Sequence, residues 1–229
     1  MRSLRAVLAA ALALLLLLPA TAQAERWTSP DPRGDVEGWH FDPDPEPCGT
    51  VTDLDGSAEV NSDITRVTVR HGRRPVEVTV RFRDLVHALE QSVWIHFRTP
   101  RAGWRLSVYR WEETPGKFDT FVFLGRDPKG RGPGEADDCG SSVISWIGDG
   151  CRVQRRVHLA EDYLRVSVPR RCLRDPRWVR VAVRAHQWVD PDDPADESSS
   201  SFSDEWDGGT RLSRWLPPFG PRVRVAARR

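Results

Sequence analysis

Hydrophobic and polar residues alternate along much of the chain with a period of two, which is typical of β-strands. The segment VEVTVRF at 76–82 is the clearest case, since four apolar side chains alternate with glutamate, threonine and arginine. DITRVTVRH at 63–71 precedes it, and HGRRP joins the two runs, so they predict a β-hairpin. Further alternating runs lie at 93–97, 104–108, 121–123, 143–147, 164–168, 179–183 and 223–225.

No stretch carries a sustained helical period, and turn-rich segments separate the short runs. Roughly nine or ten short strands at this spacing favour an all-β fold. We therefore expect an antiparallel β-sandwich of the jelly-roll or carbohydrate-binding-module type, with one wet face on each sheet. Segments rich in Asp, Pro, Gly or Ser at 28–57, 125–140 and 190–207 predict long loops.

The first 24 residues predict a signal peptide. Arg2 and Arg5 precede 13 apolar residues at 6–18, and Ala22-Gln23-Ala24 fits a cleavage site after Ala24. The apolar run is too short to span a membrane, and no later stretch is long enough. We expect a secreted, extracellular monomer that folds as one domain over residues 25–229.

Charge argues against nucleic acid as a partner. Removal of Arg2 and Arg5 leaves 34 − 2 = 32 basic against 33 acidic side chains. Phosphate binding needs a positive excess, which this balance does not supply.

Four cysteines, Cys48, Cys139, Cys151 and Cys172, predict disulfides in an exported chain. Zinc is the weaker alternative because no two of them have C-x₂₋₄-C spacing. The midpoint of 151 and 172 is 161.5, inside the polar bend at 160–163, so a hairpin in that register pairs these two cysteines.

A disulfide that closes a loop of this length stabilises a fold by about 3 kcal/mol. Cys48 and Cys139 are then left to pair with each other. The alternative is a bond between Cys139 and Cys151 across a shorter loop, and the spacing alone leaves it open.

Two blocks carry a family resemblance: VSVPRRCLRDPRWVRVAV at 166–183, and DPRGDV at 31–36 followed by Asp63-Ile64 and His71. They resemble uncharacterised secreted β-sandwich proteins of high-GC Gram-positive bacteria, a resemblance that implies no activity. The early block is also similar to carbohydrate-binding and DOMON-like sandwiches, in which a D-x-x-G-D turn can hold calcium.

Carboxylates near that turn are candidate calcium ligands. Asp31 and Asp35 flank it, and Asp63 is the third candidate. Calcium takes several oxygen ligands, often from closely spaced aspartates. Four more acids lie near enough in sequence to contribute: Asp42, Asp44, Asp53 and Asp55. The alternative is a set of Asx turns, in which each aspartate binds its own backbone.

A second acidic cluster lies in the 190–207 segment. It holds Asp190, Asp192, Asp193, Asp196 and Glu197 beside a serine run. Such a segment could bind a cation, but charged serine-rich runs are more often solvated loops.

Tryptophans form the second candidate site. Trp94, Trp111, Trp146 and Trp188 are out of phase with the apolar side of their runs. Aromatic rings exposed on a sandwich bind sugar rings, so Trp94, Trp111 and Trp188 predict a ligand-binding face. The alternative is a second covered face, because tryptophan is usually well buried.

Catalytic motifs are missing from the sequence. There is no G-x-S-x-G, P-loop, G-x-G-x-x-G or HExxH. His96 and His186 lie beside tryptophans in predicted strands and could face each other. We expect a non-catalytic binding protein for a glycan or cell-wall component, with calcium as its only cofactor. A secreted hydrolase and a structural or protein-interaction domain are the alternatives.

Overall fold

The computed structural model describes residues 25–44, 48–86, 90–114, 117–126, 150–189, 191, 197–207 and 217–225. The predicted signal peptide, the alternating run at 143–147, Cys139 and Trp146 lie outside these residues. So does the 125–140 loop beyond residue 126, and its first two residues belong to a strand.

Thirteen strands make up most of the described chain. They are β1 Glu25–Pro30, β2 Glu37–Asp42, β3 Thr50–Asp55, β4 Ile64–His71, β5 Pro75–Phe82, β6 Glu90–Arg98, β7 Gly103–Thr114, β8 Lys117–Arg126, β9 Gln154–His158, β10 Tyr163–Pro169, β11 Trp178–Val189, β12 Ser199–Glu205 and β13 Val223–Arg224. Two one-turn 3₁₀ helices cover Leu159–Glu161 and Arg170–Leu173. Over these residues, no helix is long and apolar enough to cross a membrane.

The strands form two antiparallel sheets. The first has the order β1-β4-β5-β10-β9, and the second has the order β3-β2-β12-β11-β6-β7-β8, with β13 beside the start of β11. The predicted hairpin is the β4–β5 pair, and the predicted antiparallel β-sandwich is confirmed.

One apolar core lies between the sheets. The inward side chains of β5, Val76, Val78, Val80 and Phe82, are at most 3% exposed. They belong to the same cluster as the inward residues of β6 at 93, 95 and 97. The period-two pattern therefore identified the buried face of each of these strands correctly.

Two segments predicted as loops contain strands, and the prediction was wrong there. Segment 28–57 includes the second half of β1 and all of β2 and β3, and segment 190–207 includes β12. Side chains that favour turns fill these segments, but β2 hydrogen-bonds along its whole length to β12 and β3. Backbone pairing with neighbours has overridden a weak local preference.

The disulfide between Cys151 and Cys172 is confirmed, with 5.9 Å between the Cα atoms. The hairpin register differs from the prediction by two residues, because Tyr163 pairs with His158 and not with Ala160. Cys172 lies in the 3₁₀ helix that follows β10, which returns the chain towards Cys151. Cys48 is also disulfide-bonded.

Candidate cation site and aromatic cleft

Three aspartates from distant parts of the chain meet at one point between the sheets. Asp35 lies in the connection from β1 to β2, Asp63 directly precedes β4, and Asp204 lies in β12. One oxygen from each lies within 4.8 Å of the others. Since β4 belongs to the first sheet and β12 to the second, the cluster joins the two layers.

Backbone donors fix one oxygen of each of three carboxylates. Gly34 N–H donates to Asp63 Oδ2 (2.8 Å), Ile64 N–H to Asp204 Oδ2 (2.6 Å), and Asp207 N–H to Asp31 Oδ1 (2.8 Å). Gly34 has a φ of +73°, a conformation that glycine adopts without strain. Gly34, the glycine of the D-x-x-G-D turn, therefore points its amide towards Asp63.

The remaining oxygens of the cluster have no hydrogen-bond partner. They are Asp31 Oδ2, both oxygens of Asp35, Asp63 Oδ1 and Asp204 Oδ1. Asp63 and Asp204 are 0% exposed. Buried polar atoms are almost always paired, so unpartnered carboxylate oxygens as close together as those of Asp35, Asp63 and Asp204 form a donor set that could hold a cation.

Electrostatics point the same way. Burial, together with repulsion from the neighbouring carboxylates, raises the pKa of Asp204 from its ordinary 3.8 to about 8. Burial likewise raises the pKa of Asp31 to about 7 and also raises that of Asp35. Arg83 contacts Asp63 at 3.4 Å and sets one positive charge against four carboxylates. A bound cation would balance the remainder.

The geometry fits calcium. Calcium–oxygen distances of about 2.3–2.6 Å place oxygens on opposite sides of the ion about 4.6–5.2 Å apart. Asp35, Asp63 and Asp204 each have one oxygen within 4.8 Å of the other two, close enough for a single ion of this kind to contact all three. The structure thus brings two of the three predicted candidates, Asp35 and Asp63, together with Asp204, and Asp31 lies near enough to interact with them electrostatically.

The neighbouring acids behave as the alternative predicted. Asp42 Oδ1 accepts from Asp44 N–H at 3.0 Å, and Asp55 Oδ1 accepts from Ser57 N–H at 2.9 Å. Both are Asx turns. The second predicted cluster lies outside the described residues except for Glu197.

Asp204 was missed by the sequence reasoning, which treated its segment as a loop. The signal that could have found it is the alternation of Phe202 and Asp204 at the end of β12 with Trp206 directly after the strand. Asp204 and Trp206 are both buried, so a carboxylate occupies an inward position of this strand.

Aromatic side chains cover the outer face of the second sheet. Trp94 lies between the core residues Val93 and Ile95 and therefore points the other way. It stacks on His186 at 5.7 Å, and Trp188 contacts the same imidazole edge-on at 4.3 Å. The prediction that Trp94 is out of phase with the apolar side of its strand is confirmed.

A cleft of about 280 Å³ opens on this face. Its lining consists of Glu90, Gln91, Ser92, Tyr109, Arg110, Trp111, Phe121 and Trp188. Trp188 is 41% exposed and Phe121 is 51% exposed, so this part of the face is open. Two of the three predicted tryptophans, Trp111 and Trp188, line the cleft, and Trp94 lies beside it.

His186 is enclosed by the aromatic side chains and is 4% exposed. Its Nδ1 lies 2.5 Å from Ser203 Oγ, and burial lowers its pKa to about 4, so the ring is neutral near pH 7. The expected pairing of His96 with His186 was wrong. His186 is opposite Ser92, whereas His96 is opposite Ala182.

Among the described residues that line the cleft, Glu90 is the single carboxylate. Glycoside hydrolysis commonly uses two carboxyl groups on either side of the scissile bond.

No protein-family model, curated protein or solved structure matches the chain. The function proposed for it therefore depends on the geometry of its own residues.

Proposed function

We propose that this protein is an extracellular, non-catalytic binding module that holds a glycan in the aromatic cleft. The observation that carries the proposal is the cleft lining, in which tryptophan, tyrosine and phenylalanine rings surround Glu90 and Ser92 on the open side of a sheet.

A sugar ring matches this combination of groups. The C–H face of a pyranose is apolar and packs on aromatic rings, while its hydroxyls need donors and acceptors. The Glu90 carboxylate accepts hydrogen bonds, and the Ser92 hydroxyl both donates and accepts. A purely apolar ligand would leave these two groups without partners.

Binding is tested by titrating soluble polysaccharides (a β-glucan, a xylan, a mannan, an α-glucan and solubilised peptidoglycan) while tryptophan fluorescence is recorded. We expect one class to change the emission and Trp188→Ala to abolish the response. No response to any of the five would overturn the proposal.

Trp178→Ala is the matched control. Trp178 lies on the same strand and the same face as Trp188, ten residues away, or about 33 Å along β11. Its ring stacks on Arg222 at 4.7 Å, outside the cleft. This variant should bind as the wild type does.

We further propose that calcium binds the aspartate cluster as a structural ion. The unpartnered oxygens of Asp31, Asp35, Asp63 and Asp204 support a hard cation. Magnesium keeps several waters and dehydrates reluctantly, so a buried cage of carboxylates suits calcium better.

Isothermal titration of the chelator-treated protein tests the ion. We expect CaCl₂ to give one site and Asp204→Asn to remove it. Asp53→Asn is the control, because Asp53 lies on the exposed strand β3 away from the cluster. Equal calcium binding by both variants would place the ion elsewhere.

A further inference from the structure

We propose that the cation site and the cleft are coupled through Asn61, so that calcium at the aspartate cluster holds the floor of the cleft in place. The inference deepens both parts of the proposed function and rests on them. The element common to the two sites is the loop 56–63, which ends at Asp63 and carries Asn61 two residues earlier.

Asn61 is 2% exposed and bonds to the second sheet and its neighbouring loop with three different atoms. Its Nδ2 donates to Gln187 Oε1 (2.8 Å), its carbonyl accepts from Gln91 Nε2 (2.5 Å), and its Oδ1 accepts from Val86 N–H (3.1 Å). These hydrogen bonds of Asn61 therefore hold the loop against the inner side of the second sheet.

The partners of Asn61 belong to a row that crosses three strands. Gln187 of β11 pairs with Gln91 of β6, and Gln91 pairs with Arg110 of β7. Arg110 Nη1 donates to Gln91 Oε1 at 2.6 Å, and Arg110 Nη2 donates to the Val86 carbonyl at 3.1 Å. The side chains of this row are almost fully buried, on the inner side of the sheet.

The cleft lies directly over this row on the outer side of the sheet. Gln187 is followed by Trp188, Gln91 lies between Glu90 and Ser92, and Arg110 lies between Tyr109 and Trp111. Those flanking residues line the cleft. Because successive side chains on a strand point to opposite faces, a shift of the inner row displaces the outer residues of the same strands.

In the proposed coupling, the cation acts on the loop through Asp63, two residues after Asn61. Arg83 Nη1 binds the Ser57 carbonyl at 2.9 Å, and Arg83 N–H donates to the Asp63 carbonyl at 2.9 Å. The position of the Asp63 side chain then depends on the neighbouring carboxyl groups. Without a cation, the three carboxyl groups stay close only where they are protonated and otherwise repel one another, and with a cation the three carboxylates are drawn together.

In the proposed coupling, calcium favours the arrangement of the loop in this structure, in which Asn61 reaches Gln187 and Gln91. A ligand in the cleft favours the same arrangement, so the coupling is reciprocal. A buried polar network that only filled the core would be insensitive to calcium, and this difference separates the two roles.

Hydrogen exchange with the metal alone tests the coupling without any glycan. The full chain is compared in chelator, in millimolar CaCl₂ and in millimolar MgCl₂. In the wild type we expect calcium to slow exchange in loop 57–63 and also, by about fivefold or more, at the cleft strands 90–92, 109–111 and 186–188.

Two variants remove the hydrogen bond between Asn61 and Gln187. In Asn61→Ala, calcium should still protect loop 57–63 through Asp63, while the cleft strands no longer respond. Gln187→Met keeps the side-chain length and removes the oxygen that accepts from Asn61. If Asn61→Ala folds poorly, this second variant tests the coupling, and exchange at 186–188 should no longer respond to calcium. Ala58→Ser, an exposed change in the same loop, should behave as the wild type does.

Each outcome is decisive. Protection of the loop without the cleft strands in the wild type overturns the coupling and leaves the calcium site standing, as does an unchanged cleft response in both variants. No calcium response anywhere overturns the coupling and the calcium site together. Glycan binding is measured independently, so its failure is recognised separately.

Discussion

The aspartate cluster and the aromatic cleft lie on opposite faces of the second sheet and require different partners. Asp204 occupies an inward position opposite Ala185, a core residue, whereas Trp188 points outwards and is 41% exposed. The cluster sets several buried carboxyl groups against the single positive charge of Arg83, so a cation bound there would stabilise the fold. The cleft is exposed apolar area, which costs little stability and binds a partner only when one arrives.

Chelation should have the largest effect on stability. A ligand present at about 1,000 times its Kd stabilises the native state by about 4 kcal/mol. We expect calcium to raise the free energy of unfolding by that order, measured by urea denaturation with and without chelator. Trp188→Ala should show the same gain, since the cleft lies outside the cation site, and a lost gain would contradict the distinction between the two regions.

The calcium-free protein should lose stability as pH rises. The native pKa values of about 7 for Asp31 and about 8 for Asp204 exceed the ordinary 3.8, so the folded state binds more protons than the unfolded state between these limits. The stability that these two carboxyl groups contribute is therefore fully present below about pH 4 and is lost as the pH rises to about 8. Calcium competes with those protons, so its stabilising effect should grow over the same range.

Melting curves from pH 4 to pH 8, with chelator and with CaCl₂, measure this effect. A flat chelator series would show that the carboxylates ionise normally in the native state. Phe121→Ala, which lies in the cleft, should leave the pH profile unchanged.

Removal of the disulfide should have an intermediate effect on stability. Cys151→Ser with Cys172→Ser should lower the free energy of unfolding by about 3 kcal/mol, because the bond closes a loop of 21 residues. The calcium increment should persist in the double variant, since neither cysteine contacts the aspartates. Denaturation of this variant with and without CaCl₂ provides the measurement, and non-additive losses would indicate that the two constraints act on one element.

Phe121→Ala should have the smallest effect on stability. The ring is 51% exposed, so we expect a change within about 0.5 kcal/mol. Affinity for the polysaccharide identified by fluorescence should nevertheless fall, because the ring lines the cleft beside Tyr109. A large loss of stability would mean that the outer face is a second core.

The fold was more predictable than the site. Alternation identified β4, β5, β6 and β11 together with their buried faces, because the period of two is a property of each strand. It failed for β2 and β12, whose turn-rich sequences are held by pairing with neighbours. The disulfide between Cys151 and Cys172 was predicted correctly from a register that was two residues off, since a 3₁₀ helix made up the difference.

By itself, the sequence determined the sandwich architecture, the outward phase of the tryptophans and the acidic turn at Asp31 and Asp35. Each of these follows from neighbouring residues in the chain, either through strand periodicity or through the conformation of Gly34. Only the tertiary structure decided that Asp204 joins Asp63 and that Asn61 reaches Gln187. Both contacts form between sheets whose strands are far apart in sequence, and side-chain convergence across a core has no local signature.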